Sequence, residues 1–235
     1  MNTSIKTALA AIGLLVAFSC KKESTNRQLP IHGYHATDVV AGKYAHVNIG
    51  SQVWMTNNLD VTHYRNGDKI PQVKDATKWA ALTTGAWCWF NNDSAIGAVY
   101  GRLYNWYAVH DPRGLAPLGW HVPSDLEWNT LSTYLGGDSV AGGKMKTTGI
   151  YEEGSGRWHK PNLGATNSSG FSALPGSLRY NDGSFSIIGY YGRWWSSTKS
   201  SATNSWDRSL NTWVEDLGRS SDNKQFGFSV RCIKD

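Results

Sequence analysis

Charge is scarce in this chain. Lysine, arginine, aspartate and glutamate make up 17% of its 235 residues, against ~25% in an ordinary globular domain. Scarce charge beside 12% aromatics excludes wholesale disorder, which goes with few aromatics and a high net charge. Long apolar runs are also lacking. Only one stands out, at the N-terminus, and this excludes a polytopic membrane protein. The 25 glycines follow no strict period, which excludes a collagen-like helix. The basic residues are scattered, with no stripe interleaved with aromatics, and the net charge is +5. Nucleic acid is therefore not an expected partner.

The side-chain patterns of common chemistries are missing as well. The seven histidines (His32, His35, His46, His63, His110, His121 and His159) form no i,i+4 pair and no cluster with cysteine, so zinc is not expected. No Gly-x-Ser-x-Gly elbow occurs. Glu152 and Glu153 could suggest the two carboxylates of a glycosidase, but adjacent acids in a glycine loop read as solvated. His110-Asp111 sits at an expected helix end, where a capping role is the simpler reading. No catalytic residue, metal or cofactor is expected.

The N-terminus reads as an address. Lys6 precedes an apolar run of 11 residues, Ala8 to Phe18. That length suits a signal peptide and falls short of the ~20 residues of a spanning helix. Ser19-Cys20 closes the run and resembles a lipobox, with Ala17 at the third position before the cysteine and Phe18 as a departure. Residues 1–20 are thus expected to be a lipoprotein signal peptide, with Cys20 lipidated and held at the membrane. Residues 21–37 read as a tether, and 38–235 as one domain. Cys88 and Cys232 remain as a pair. In an exported domain they are expected to form a disulfide; the alternative is two separately buried thiols.

Within the domain, Gly50-Ser51 and Asn66-Gly67 predict two hairpins, over 47–54 and 63–70. Asp75 is placed to cap a short helix reaching Leu82. Leu103, Trp106 and Tyr107 fall at helical spacing and predict a helix over 101–109. Pro123-Ser124-Asp125-Leu126-Glu127-Trp128 carries a capping box, Ser124 with Glu127. Trp128, Leu131 and Leu135 then predict a helix over 125–135, ended by Gly136-Gly137. The chain after it is punctuated by glycines, Gly142-Gly143 among them, and reads as loop. Strands are predicted over 192–198, 205–211 and 227–233. The fold class is α+β.

Six segments carry a family resemblance: Ile49–Leu59, Tyr100–Val109, Leu115–Trp128, Gly164–Gly176, Trp194–Thr198 and Gly227–Cys232. In this order they resemble the Fibrobacter succinogenes major paralogous domain, a family of exported bacterial proteins. Pro123–Trp128 and Gly227–Cys232 also distantly resemble the formylglycine-generating enzyme family. That resemblance implies a C-type lectin-like fold, two helices on a small antiparallel sheet with long loops. The reactive copper-binding cysteine pair of those enzymes has no match here. Nor does the Glu-Pro-Asn or Gln-Pro-Asp loop of calcium-dependent lectins, and Trp206-Asp207-Arg208 only half matches their second element.

Two classes of function stay open. An enzyme would need a nucleophile, base and stabiliser brought together from distant loops. A binding module needs a rigid scaffold, long loops and surface aromatics. The latter explains more of the sequence: a lipid-anchored envelope protein, at the outer membrane of a Gram-negative bacterium, recognising a glycan or an envelope protein. A purely structural surface role is a further alternative. The candidate ligand-binding residues are Trp158, Tyr190, Tyr191, Trp206, Asp207 and Trp213.

Overall fold

The computed structural model describes residues 44–235. The expected leader, the lipidated Cys20 and the tether lie outside the described residues. The first hairpin pairs β1 (His46–Ile49) with β2 (Gln52–Met55), Ile49 opposite Gln52 across the Gly50-Ser51 turn. Gly50 has φ +62°, and a Cβ there would meet the Tyr134 ring at 2.8 Å. The second predicted hairpin shrinks to one bridge, His63 with Lys69. Asp75 caps α1 (Ala76–Ala80) by accepting from the Lys78 amide. β3 (Trp87–Cys88) follows, then α2 (Ser94–Tyr100), which the sequence reading missed.

The helix expected over 101–109 is only half formed. Leu103–Tyr104 is strand β4, paired with β3, and only Trp106–Val109 is helical, as α3. Asn105 makes the break. Its Oδ1 accepts from the Ala86 and Ala108 amides, so it caps α3 and ties it to the chain before β3. β5 (Trp120–His121) leads into α4 (Asp125–Tyr134), where both halves of the Ser124–Glu127 capping box are present. α5 (Asp138–Met145) is a helix where loop was expected. Its glycines serve close approach: a Cβ on Gly142 would lie 2.3 Å from the Asp216 carbonyl oxygen, and the Gly143 amide donates to Glu215.

Three long strands follow: β6 (Tyr191–Lys199), β7 (Asn204–Asn211) and β8 (Gly218–Asn223), antiparallel in that order. β8 (GRSSDN) is too polar to announce itself as a strand. Of the predicted last strand only β9 (Ile233–Lys234) is laddered, between β2 and β5 in a four-stranded sheet. Its approach still alternates. Phe228, Val230 and Cys232 enter one core cluster, with Trp106 and Trp195. Arg231 points elsewhere, to the Met55 and Phe171 carbonyls and Asn58 Oδ1. A second cluster gathers Trp54, Trp128, Phe171 and Trp194, with Trp54 and Trp128 centroids 4.8 Å apart. Neighbouring Trp194 and Trp195 thus serve different clusters, as strand alternation requires.

The expected disulfide is not formed. Cys88 is buried with Trp79, Phe90 and Leu103, Cys232 in the separate cluster around Phe228, and both are free thiols. Burial pushes each up to about 12, so both stay protonated and inert at neutral pH.

The irregular segments are stitched by buried cations. Loop carbonyls outside any ladder still need donors once buried. Lys146 donates to the Leu163, Asn211 and Val214 carbonyls at 2.7, 3.0 and 2.8 Å. Arg179 reaches the Val73, Lys74 and Gly183 carbonyls with its guanidinium 4.5 Å from the Trp79 ring centroid. Both side chains are fully buried.

Candidate functional site

The β7–β8 turn carries an exposed tryptophan. Trp213 is 47% exposed. Asn211, the last residue of β7, folds the turn back: its Oδ1 accepts from the Trp213 and Val214 amides at 2.9 and 3.1 Å. Lys146, capping the C-terminal end of α5, holds the carbonyls on either side of Trp213 from below. The Thr212 amide donates to the Tyr190 carbonyl, so the turn is also tied to the entry of β6. An exposed ring on a turn fixed at both ends is pre-organised, and an ordering cost on binding is avoided.

Trp213 ends a column of rings. His159 stacks on Tyr190 at 4.3 Å and 14°, and Tyr190 stacks on Trp213 at 5.3 Å and 13°. Tyr151 leans on His159 at 4.8 Å, and Tyr191 leans on Trp213 at 5.6 Å and 60°. Tyr190 has both faces covered. At the Trp213 end of the column, Trp213 and Tyr191 are the exposed rings. His159 is oriented by Glu152, whose Oε1 lies 2.7 Å from Nδ1 and whose Oε2 accepts from the Lys160 amide. Glu152 is therefore engaged rather than merely solvated, and the hydrogen bond from His159 holds its carboxyl below the ordinary range.

Beside Tyr191 opens a cleft of about 330 Å³, walled by Tyr180, Tyr191 and Phe226 and floored by Arg193, Asn211 and Asp222. Arg193 donates to Asp222 Oδ2 at 2.5 Å and to Ser220 Oγ at 3.3 Å. Asp207 lies beneath it, fully buried, with Oδ2 3.5 Å from Arg193 Nε and neither oxygen accepting a hydrogen bond. Burial, and Asp222 beside it, push Asp207 well above the ordinary carboxylate range.

The six expected ligand residues thus divide. Tyr190, Tyr191 and Trp213 meet in one column. Trp158 does not reach the surface: it is fully buried, its indole donating to the Ala173 carbonyl. Trp206 is roofed by Arg219, whose guanidinium carbon lies 3.3 Å from the ring centroid and whose Nη2 is tied to Asp125. Asp207 is inside the sheet. Trp158 and Asp207 are withdrawn by burial, and Trp206 because alternation along β7 turns it to the face opposite Ser209 and Asn211. Tyr151, His159 and Lys146 were missed, and no local signal marks them.

One contact group has the residue types of a serine hydrolase but not their order. Ser124, Glu127 and His121 are in contact, but Glu127 stands in the middle: it accepts from Ser124 Oγ at 2.8 Å and lies 2.7 Å from His121 Nε2. A serine nucleophile needs the histidine between serine and acid, so this is helix capping extended by one residue. Among the described residues no group of three or more His, Cys, Asp or Glu could hold a metal ion, and no helix is long and apolar enough to cross a membrane.

The fold and surface define an α+β domain whose loops are stitched by buried cations and whose sheet end displays stacked rings. The chain belongs to the Fibrobacter succinogenes major domain family, matched over residues 47–234. No curated protein and no solved structure matches it.

Proposed function

We propose that this is a lipid-anchored cell-envelope module that binds an extracellular glycan on Trp213 and Tyr191. The carrying observation is the half-exposed Trp213, one face backed by Tyr190 and its turn pinned by Asn211 and Lys146. A sugar ring stacks its apolar face on an indole, and its hydroxyls need donors and acceptors alongside. Arg193, Asn211 and Asp222 supply both in the adjoining cleft. The anchor rests on the short apolar run that ends in Ser19-Cys20. A C-type lectin-like arrangement is part of the proposal. It is supported by the small antiparallel sheet, in which β9 returns beside the first hairpin, and by the long loops.

A glycan panel on the full chain in detergent tests the reading. Trp213→Ala and Tyr191→Ala should each weaken binding several-fold, as loss of roughly 0.5–1.5 kcal/mol of ring contact implies, with thermal stability unchanged. Binding that survives both substitutions, or no glycan bound by the wild type, overturns it. Mass spectrometry of the mature N-terminus tests the anchor, and an unmodified terminus at another residue overturns that part.

A further inference from the structure

The largest surface cavity described lies away from the ring column, among residues 62–102, and holds about 1000 Å³. Lys69, Arg102, His63, Gln72, Trp87 and Trp89 line it, and no carboxylate does. The Arg102 guanidinium lies 4.3 Å from the Trp87 ring centroid and 5.6 Å from that of Trp89. The two indoles meet edge to face at 5.1 Å. Trp89 is seated on α2 so closely that a Cβ on Gly97 would lie 2.0 Å from its Cδ1, which fixes the ring in the wall.

Asp60 engages Arg102 at Nη1. Among the described residues Arg102 Nε and Gln72 Nε2 have no acceptor. Buried donors without acceptors are rare and cost about 1–3 kcal/mol each. Here two occur in side chains that line one cavity, beside a second cation, the exposed Lys69. The walls offer little free backbone, because His63 is bridged to Lys69 and Gln72 to Trp87. Recognition therefore runs through side chains, which suits a saccharide better than a peptide added as a strand.

We propose that this cleft is a second binding site, for a carboxylate-bearing saccharide. A uronic acid carboxylate pairs with the exposed Lys69 and takes the unpaired donors of Arg102 and Gln72, whose side chains must turn outward to reach it, and a neighbouring sugar ring lies against Trp89. The site shares no residue with the Trp213 platform and stands whether or not that platform binds a glycan.

Tetragalacturonate is the probe, titrated calorimetrically into the full chain at low and high salt, with neutral galactotetraose as the control. Expected are binding of the acid tetramer alone and weakening by salt. Lys69→Gln, at an exposed position, should lower affinity about tenfold, the scale of one charge-assisted hydrogen bond. Trp89→Ala should lower it further, with Trp213→Ala leaving it unchanged. An unaltered near-ultraviolet dichroism spectrum for Lys69→Gln keeps that result a statement about binding. The proposal is overturned by absence of binding, by equal binding of the neutral tetramer, or by indifference to Lys69→Gln. It is equally overturned by dependence on Trp213, or by oligoglutamate or single-stranded DNA binding more tightly at the same residues.

Discussion

At the start of α4, Ser124 and Glu127 satisfy each other's amides within a single helical turn. At the Trp213 turn the corresponding work falls to Lys146, which reaches from the end of α5 to the carbonyls of residues 163, 211 and 214. The first region closes its polar groups locally, and the second borrows a donor from elsewhere in the chain. Local closure leaves each piece tolerant of change in the other. Borrowed closure makes the loop around 160–166, the Trp213 turn and α5 stand or fall together.

Lys146→Met sharpens this contrast most. It strands three buried acceptors, at about 1–3 kcal/mol each. A loss of about 3–9 kcal/mol in denaturant unfolding is expected. A loss under 1 kcal/mol would break the comparison. Trp128→Ala, in the core under α4, should cost ~3–5 kcal/mol, since the ring is fully buried against Trp54 and Phe171. Ser124→Ala should cost only ~1 kcal/mol, the value of one cap, and leave the Trp213 turn untouched.

The two regions also differ in pH response. Burial lowers Lys146 from 10.5 to about 8. Between these values the unfolded chain binds more protons than the folded one, so this group's contribution to stability rises with pH from about 8 to 10.5. The difference in unfolding free energy between wild type and Lys146→Met should grow across that window. His121 behaves oppositely, and more weakly. Burial alone would lower it, but hydrogen bonds with Glu127 and Asp235 outweigh that and raise it above 6.5. Its stabilisation is complete below about 6.5 and is lost as pH rises through the folded value. His121→Gln should flatten the fall in melting temperature just above that pH.

What could be read from the sequence follows the same division. The α4 box, the Asp75 cap and the Gly50-Ser51 turn are local signals, and each fixes its element. The half-helix at 101–109 was misread because Asn105 answers to Ala86 as well as to its own turn. α5 was hidden by glycines that serve its contact with residues 215–216, and β8 by its polar composition. The ring column joins residues 151, 159, 190, 191 and 213, and nothing in any one stretch says that they meet. Lys146 reads as an ordinary surface lysine until its carbonyl partners are known.

The placement of β9 has a kinetic consequence. Ile233 pairs with both Trp54 and His121, so the interior of the four-stranded sheet is supplied by the last residues in the chain order. The hairpin of β1 and β2 can form early, but it has no neighbour to pair with until residue 233 arrives. Such distant pairings slow folding. The chain should therefore refold in milliseconds to seconds rather than microseconds.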